Sequence, residues 1–181
     1  MDEPYLISSR LELYELGAEH AHHLFDLDSD PEVMKYITDG KRSSPAEIDA
    51  TITRIQGYFE RFNHRFGTWC AFDRATGEFV GWFLLRPDKK DLDNTRDIEV
   101  GYRLKQRFWG KGFATEVSRM LVERAFSDGA QTVYATAMAA NSASIRIMKK
   151  LGMTLAKNYV EDQFPGTDKS AVKYELKNPK R

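Results

Sequence analysis

The stretch Arg107-Phe-Trp-Gly110-Lys-Gly112-Phe-Ala-Thr115 connects a predicted strand to a predicted helix. The strand, residues 97–104, is rich in β-branched and aromatic residues, and the helix, residues 114–128, repeats apolar residues at helical spacing. This order directs free backbone N–H groups and the positive end of a helix dipole toward one point, where a phosphate group binds readily. The two glycines alone fit a chance glycine-rich turn equally well.

Two familiar phosphate-binding motifs do not match this stretch. A Walker loop requires Gly-x-x-x-x-Gly-Lys-Ser/Thr, and neither Gly110 nor Gly112 begins or ends such a pattern. The dinucleotide fingerprint requires glycine or alanine at the place of Thr115 and an acidic residue about 20 residues further on. Residues 132–138 contain no acid, so the sequence disfavours a dinucleotide site.

A third motif does match. Arg107-x-x-Gly110-x-Gly112 follows the Arg/Gln-x-x-Gly-x-Gly/Ala pattern of the pyrophosphate loop in the GCN5-related N-acetyltransferases (GNATs). Residues 9–13, 30–34 and 141–153 also resemble the RimJ/RimL-like branch, which acetylates the amino termini of ribosomal proteins. The resemblance covers nearly the whole chain. It implies the GNAT fold, an α/β (α+β) architecture with a mixed, mostly antiparallel central sheet flanked by helices on both faces.

The composition is that of an ordinary globular domain. The chain of 181 residues suits a single N-acetyltransferase domain spanning residues 1–181. Apolar residues make up 41% and the formal net charge is zero, so we expect no nucleic-acid and no membrane partner. The N-terminal residues do not resemble a signal peptide. Since the single cysteine forms no internal disulfide, we expect a cytoplasmic protein, either a monomer or a homodimer.

Three other segments contain side chains that could bind a metal or take part in catalysis, and we expect no metal site at any of them. The histidines of Glu19-His20-x-His22-His23 lack partners at ligand spacing, so solvated histidines are favoured. In Asp26-x-Asp28-x-Asp30, Asp30 is expected to cap a helix that begins at Pro31, while Asp26 and Asp28 are left open as an acidic lip for a cationic acceptor. Cys70 is expected to be buried and inert.

Hydrophobic periodicity and turn signals predict the remaining elements. The predicted strands are residues 5–13, 68–73, 78–86, 97–104, 131–137, 153–159 and 171–176. The predicted helices are residues 18–27, a helix from the Ser44-Pro45-x-Glu47 capping box to about Phe66 that Gly67 closes, and residues 114–128 and 142–151.

The resemblance implies that acetyl-CoA is the co-substrate, and it assigns the residues that contact it. The backbone groups of Val100, Gly101 and Tyr102 are expected to pair with the pantetheine arm like an additional strand. The other predicted coenzyme contacts are Arg107, Phe108, Trp109, Gly110, Lys111, Gly112, Phe113, Ala114, Thr115, Asn141, Ser144 and Lys149.

Glu99 is the predicted general base. Alternation along the strand places it on the face opposite Ile98, Val100, Tyr102 and Leu104. A buried central strand tolerates a glutamate only when the side chain is paired or functional. The resemblance assigns Glu99 to deprotonation of the amine, while a salt bridge, for example to Arg103, explains it equally well.

Ser144 is predicted to assist the leaving thiolate. The tyrosine that protonates this thiolate in the wider superfamily is replaced by Met148, which has no proton to donate. Ser144 lies one turn earlier on the same helix face and is expected to protonate the thiolate or to hydrogen-bond it. Alternatively it only completes the first helical turn, which Asn141 caps.

The predicted function is an acetyl-CoA-dependent N-acetyltransferase. It transfers acetyl to a primary amine, of a protein N-terminus or a small molecule, by direct attack in a ternary complex. The alternative is a non-catalytic acyl-CoA-binding sensor or scaffold of the same fold. The presence of both Glu99 and Ser144 favours the enzyme.

Overall fold

The computed structural model describes residues 3–179, which form one eight-stranded sheet with helices on both faces. The strands are β1 Leu6–Ile7, β2 Leu11–Glu15, β3 Gly67–Asp73, β4 Phe79–Pro87, β5 Asp97–Leu104, β6 Thr132–Met138, β7 Thr154–Val160 and β8 Ser170–Lys177. Their order in the sheet is β1-β2-β3-β4-β5-β6-β8-β7. Strands β5 and β6 are parallel, and the other neighbouring pairs are antiparallel. The predicted mixed, mostly antiparallel sheet is confirmed.

The helices cover the two faces of the sheet. They are α1 Ala21–Asp28, α2 Pro31–Met34, α3 Pro45–Phe62, α4 Phe113–Ser127 and α5 Ser142–Lys150. Helix α5 lies over the face that carries Tyr102, whose hydroxyl contacts Ser144. Helix α1 lies against the opposite face, where Asp28 is paired with Arg103 of β5. Among the described residues, no helix is long and apolar enough to cross a membrane.

The alternation predicted along β5 is confirmed. The register between β4 and β5 is continuous from Gly81 opposite Leu104 to Pro87 opposite Ile98. Ile98, Val100 and Leu104 are buried together in the core, whereas Glu99 points to the other face, beside Arg86 of β4. Because no bulge interrupts this register, the face assigned to each residue of β5 follows directly from its position.

The sheet opens immediately after Glu99. The parallel pairing joins residues 97–99 to residues 132–134. Beyond these, β5 continues to Leu104 and β6 to Met138, yet within the described chain the two strands do not pair again. We call the space between residues 100–104 and residues 135–138 the slot. The backbone groups of β5 that face the slot have no strand partner, which is the geometry that an extended ligand requires.

Three predicted elements differ from the structure by more than one residue at an end. Helix α3 begins with the predicted capping box, in which Ser44 Oγ accepts from the amide of Glu47 and the Glu47 carboxylate accepts from the amide of Ser44. It ends at Phe62 rather than Phe66, because Asn63 adopts a left-handed φ of 48° and its N–H bonds back to Phe59. The residue expected to close the helix, Gly67, instead begins β3.

The predicted first strand, residues 5–13, is broken into β1 and β2. The amide and hydroxyl of Ser8 donate to the carbonyl oxygen of Leu11, and the Leu11 amide donates back to Ser8 Oγ. This turn carries Ser9 and Arg10 out of the ladder. The following predicted helix, residues 18–27, opens as a 3-10 turn, Ala18–His20, before α1 begins.

Candidate active site

The loop between β5 and α4 presents a row of unused backbone amides. The amides of Phe108 and Trp109 are occupied, since they donate to the carbonyls of Lys105 and Gln106. The first hydrogen bond of α4 runs from the Glu116 amide to the Gly112 carbonyl. Within residues 3–179 no acceptor is bonded to the amides of Gly110, Lys111, Gly112, Phe113, Ala114 and Thr115. A helix N-terminus with free amides and a positive dipole end suits an anion.

Both glycines of this loop have backbone angles that other residues adopt at a cost. Gly110 has a φ of 74° and Gly112 a φ of 85°, both in the left-handed region. A Cβ at Gly110 would meet no atom within 4 Å, and one at Gly112 would come no closer than 3.4 Å to Arg10 Nη2. The protein itself therefore leaves room at both glycines.

The side chains of the loop divide into those that anchor it and those that face solvent. Phe108, Phe113 and Ala114 are buried, so Phe113 and Ala114 offer an anion only their main-chain amides, while the amide of Phe108 is already bonded to Lys105. The exposed Trp109 donates its indole N–H to the Leu104 carbonyl at 2.8 Å. Arg107 and Lys111 are exposed, and Arg107 lies 3.4 Å from the carboxylate of Glu78. Both cations also lie over the ring of Phe108, with Arg107 Cζ at 4.9 Å and Lys111 Nζ at 5.4 Å from its centre.

An ion-paired brace holds the start of α4 in place. Arg10 donates from Nε to Glu116 Oε2 at 2.7 Å and from Nη1 to the Lys111 carbonyl at 2.9 Å. The guanidinium also lies 4.3 Å from the centre of the Phe113 ring. Ser9 Oγ donates to the second carboxylate oxygen of Glu116 at 2.8 Å. The turn before β2 thus fixes both the loop and the first turn of the helix.

The electrostatics of Glu116 reflect this brace. Burial alone would raise the pKa of its carboxyl, but hydrogen bonds from Ser9, Ser8 and Arg10 outweigh burial and lower that pKa. Glu116 is therefore ionised throughout the neutral range, and its charge is balanced by Arg10 rather than facing the anion site.

Side chains from β5 and α5 meet at the slot. Tyr102 and Ser144 place their hydroxyl oxygens 3.3 Å apart. The carboxamide oxygen of Asn141 accepts from the Ser144 amide at 3.1 Å, so its predicted capping role is confirmed. Lys149 is exposed in the last turn of α5, about 8 Å along the helix axis from Ser144. Its coenzyme contact stays a prediction.

Glu99 occupies the opposite face of β5, at the point where the sheet opens. Arg86 Nε and Nη2 both donate to Glu99 Oε2, at 2.9 and 2.8 Å. Side-chain exposures of 17% for Glu99 and 12% for Arg86 show that the pair is largely buried. Both of these bonds end on Oε2, and within residues 3–179 Oε1 accepts no hydrogen bond. An ion pair and a proton-accepting role are therefore compatible in one carboxylate.

The salt-bridge partner suggested for Glu99 from the sequence was wrong. Arg103 lies on the same face but pairs with Asp28 of α1, which also accepts from Ser43 Oγ at 2.8 Å. Asp26 pairs with Lys105. Since both carboxylates have cationic partners, the acidic lip suggested for Asp26 and Asp28 carries no uncompensated charge. Asp30 caps α2 as predicted, accepting from the Glu32 amide.

An aromatic and charged group adjoins Glu99 on its own face of the sheet. Tyr134 is the register partner of Glu99, and its hydroxyl donates to Asp88 Oδ2 at 3.2 Å. The ammonium group of Lys173 lies 3.6 Å from the centre of the Tyr134 ring. Burial, together with the negative charges of Glu99 and Asp88, raises the pKa of Tyr134, so its phenol stays protonated.

The remaining sequence candidates have structural roles. Cys70 is buried, as expected, and burial raises the pKa of its thiol far above the neutral range. The histidines are more packed than expected, since His23 stacks on Phe79 and His20 accepts from the Gly17 amide. Burial lowers the pKa of His23 to about 4. Residues 3–179 contain no group of three His, Cys, Asp or Glu side chains that is arranged to hold a metal ion.

Sequence reasoning missed Arg10, Glu116 and Arg86, which hold the loop and Glu99 in place. Arg10 and Glu116 both lie within stretches that resemble the GNAT family, but nothing in a linear sequence shows that they contact each other. Arg86 is found once β4 and β5 are aligned in register, because it then stands directly opposite Glu99.

Comparisons with known proteins identify the family. Residues 10–154 match the model of the acetyltransferase (GNAT) domain. The "FsC-acetyl coenzyme A-N(2)-transacetylase" of Aspergillus fumigatus is 35% identical over 96% of this chain and 76% of its own length. The uncharacterized protein YkkB of Bacillus subtilis is 30% identical over 84% of this chain and 86% of its own length.

Solved structures show the same fold. RimL, described as the ribosomal L7/L12 alpha-N-protein acetyltransferase in complex with coenzyme A, superposes with a TM-score of 0.81 over 97% of this chain and 98% of its own. The two sequences are 17% identical. The predicted fold and family are thus confirmed, and the chain belongs to the GCN5-related N-acetyltransferases.

Proposed function

We propose that this protein transfers the acetyl group of acetyl-CoA to a primary amine by direct attack in a ternary complex. The observation that carries the proposal is the opening of the sheet directly after Glu99. At this opening a carboxylate lies on one face, a serine hydroxyl lies on the other, and free amides stand at the C-terminal end of β5.

In this proposal, the coenzyme binds along the side of the slot that faces α4 and α5. The amides of residues 110–115 donate to its pyrophosphate, with the dipole of α4 adding favourable electrostatics. The main chain of Val100, Gly101 and Tyr102 pairs with the pantetheine arm, since β6 has left that edge of β5 unpaired. Asn141 and Ser144 bring the N-terminus of α5 to the same arm.

Glu99 accepts the proton that makes the amine nucleophilic. An ammonium acceptor must lose one proton before attack and a second as the tetrahedral intermediate collapses. The C–N bond forms, the C–S bond breaks, and the electron pair moves to sulfur. Glu99 Oε1 takes the first proton, directly or through a water molecule, while Arg86 holds the carboxylate in position through Oε2. One of the two protons ends on the thiolate and the other in solvent.

The acceptor is a primary amine on the face of the sheet that carries Glu99. The names of the fungal relative and of RimL both specify a nitrogen acceptor, an N(2) position and a protein alpha-nitrogen. Tyr134, with Lys173 over its ring and Asp88 at its hydroxyl, lies beside Glu99 in this chain. We therefore retain both a protein N-terminus and a small-molecule amine as acceptor classes, and the assay below separates them.

The test measures thiol release from acetyl-CoA by the purified protein against a panel of amines. The panel contains peptides with free and with blocked amino termini, amino acids, polyamines and aminoglycosides. We expect thiol release well above background hydrolysis with one class, and a product heavier by one acetyl group in mass spectrometry. Calorimetric binding of coenzyme A without turnover on any amine would instead indicate a non-catalytic module, and absence of binding would overturn the loop assignment.

A further inference from the structure

The Tyr102 side chain contacts Ser144, and this contact is separate from the coenzyme contact predicted for Tyr102. That assignment involves the main chain of Tyr102, whereas its phenol contacts α5. The two hydroxyl oxygens lie 3.3 Å apart, and Ser144 is set by the Asn141 cap at its own amide. The phenol therefore links β5 to the first turn of α5.

The direction of this hydrogen bond follows from the chemistry of the two hydroxyls. Within residues 3–179 neither hydroxyl has a second hydrogen-bond partner. Burial raises the pKa of Tyr102, an effect that the contact with Ser144 only partly offsets, so the phenol keeps its proton in the neutral range. Either hydroxyl could be the donor in this contact, but a phenol is a stronger acid and a weaker acceptor than an aliphatic hydroxyl. The favoured arrangement therefore has Tyr102 donating and Ser144 accepting.

This arrangement frees the hydrogen of Ser144. A serine hydroxyl has one hydrogen and two lone pairs. With one lone pair occupied by the phenol, the hydroxyl rotates less, and its hydrogen is left for a group lying in the slot. Ser144 alone, at the start of a helix, would be free to donate back to a main-chain carbonyl or to solvent.

We propose that Tyr102 is a positioning residue for acetyl transfer, whose phenol orients the Ser144 hydroxyl so that its hydrogen points at the thioester sulfur. This inference rests on the function proposed above. As the nitrogen bonds to the carbonyl carbon, the C–S bond breaks and its electron pair moves to sulfur, where Ser144 donates a hydrogen bond. The thiolate then takes a proton that the amine has released to solvent. Tyr102 keeps its own proton, because an ordinary phenol, with a pKa of about 10, is already a weaker acid than a thiol of about 8.5.

A double-mutant cycle tests the proposal. Ser144→Ala is expected to lower kcat about 10- to 100-fold, and Tyr102→Phe about three- to tenfold. The double variant is expected to be no slower than Ser144→Ala, because Tyr102 acts through Ser144. Ser144→Thr, which keeps a hydroxyl, should retain more activity than Ser144→Ala. The KM for acetyl-CoA should stay within about twofold of wild type in all of them.

The dependence on the leaving group separates positioning from a structural role. With acetyl thioesters of thiols of rising pKa, the rate should fall more steeply in Tyr102→Phe and Ser144→Ala than in wild type, since a poorer leaving group needs the hydrogen bond more. Tyr58→Phe in α3 and Ser142→Ala in the first turn of α5 are the matched controls, and both should follow wild type. Thermal unfolding verifies that each variant is folded.

Three results would overturn the proposal. The first is a wild-type rate in Tyr102→Phe. The second is that Tyr102→Phe lowers the rate by the same factor in the wild-type and the Ser144→Ala backgrounds. The third is that the rate depends on the thiol pKa in both variants as it does in wild type. Any of these in an active wild-type enzyme overturns this inference alone. A wild-type protein that binds coenzyme A but transfers no acetyl group to any amine overturns the proposed function and this inference together.

Discussion

The two sides of the site, which we propose to hold the coenzyme and the amine acceptor, are built from different interactions, and we call them the coenzyme side and the acceptor side. On the coenzyme side, consecutive residues 110–115 present main-chain amides, so the site depends on backbone angles and on a helix terminus. On the acceptor side, the site depends on side-chain pairs between separate elements, Glu99 with Arg86 and Arg103 with Asp28. A backbone site tolerates change in most of its side chains, whereas a paired site loses its arrangement when one partner changes.

The largest expected effect is on the coenzyme side. Gly112→Glu should weaken coenzyme A binding about 100-fold or more, because it places a negative side chain at the anion site and removes the residue suited to a φ of 85°. Isothermal titration calorimetry measures this loss.

The control for this variant is Gly77→Glu. Gly77 lies in the turn between β3 and β4 with a φ of 71°, and a Cβ there would meet no atom within 4 Å. It carries the same backbone strain away from the loop and should bind coenzyme A normally. Equal affinity of Gly112→Glu and wild type would show that the loop does not hold the pyrophosphate.

Glu99→Gln should give the second largest effect and should act on turnover alone. We expect kcat to fall about 100-fold near neutral pH, with coenzyme affinity unchanged, since a carboxamide does not accept the amine proton. The loss should shrink at higher pH, where the amine loses its proton without help. Asp93→Asn, which removes an exposed carboxylate paired with Arg61, is the matched control. A pH–rate profile identical to that of wild type would remove Glu99 from the base role.

Asp28→Asn tests the acceptor side by removing the carboxylate that pairs with Arg103. The Asp28 side chain is 8% exposed, so removing its charge leaves Arg103 buried without a counter-ion and should lower the free energy of unfolding by about 3 kcal/mol. The KM for the amine should rise, while coenzyme affinity should not change. Urea denaturation and steady-state kinetics measure the two effects.

Asp26→Asn is the control for this substitution. Asp26 also pairs with a cation at the end of β5, but its side chain is 67% exposed, so the pair should contribute no more than about 1 kcal/mol. If both variants lost the same stability, burial of the Asp28 pair would not be its source.

Arg10→Ala should have a smaller effect on the coenzyme side. Without the guanidinium, the Lys111 carbonyl and Glu116 lose their shared partner, and we expect coenzyme A to bind about five- to tenfold more weakly. Arg124→Ala removes an ion pair at the other end of α4 and should leave binding unchanged. Normal affinity in Arg10→Ala, measured by calorimetry, would make the brace irrelevant to the loop.

The smallest effect is expected for Glu116→Gln, and it depends on pH. Because the pKa of Glu116 is lowered in the folded protein, its carboxylate stabilises the fold above the unfolded-state pKa, and this contribution disappears as pH falls through the folded-state pKa. At neutral pH the variant should be about 1 kcal/mol less stable than wild type, and the two should converge in acid. A difference that does not vary with pH would contradict this assignment.

The sequence predicts most of the coenzyme side, because its parts are adjacent along the chain. Arg107, Gly110 and Gly112 stand at fixed spacing between a strand and a helix, and Asn141 stands next to the helix that it caps. Local spacing of this kind determines backbone angles and helix termini. The alternation in β5, which separates Glu99 from Tyr102, is likewise a property of successive residues.

The acceptor side and the brace could not be predicted in this way, because the residues that pair there are distant in sequence. Arg10 lies 106 residues from Glu116, and Asp28 lies 75 residues from Arg103. Arg103 and Arg86 were equally available to Glu99 in the sequence, and only the register of β4 against β5 distinguishes them. The early end of α3 was also unpredicted. The left-handed residue that ends this helix is Asn63, whereas the sequence predicts that the helix ends at a glycine.

The most direct test of the central claim follows the backbone amides while coenzyme A is titrated into the isotope-labelled protein. If the amides of residues 110–115 hold the pyrophosphate, their nuclear magnetic resonance signals should show the largest shifts, and the same titration of Gly112→Glu should leave them unmoved. Binding of coenzyme A with the largest shifts elsewhere, and none in this loop, would contradict the claim.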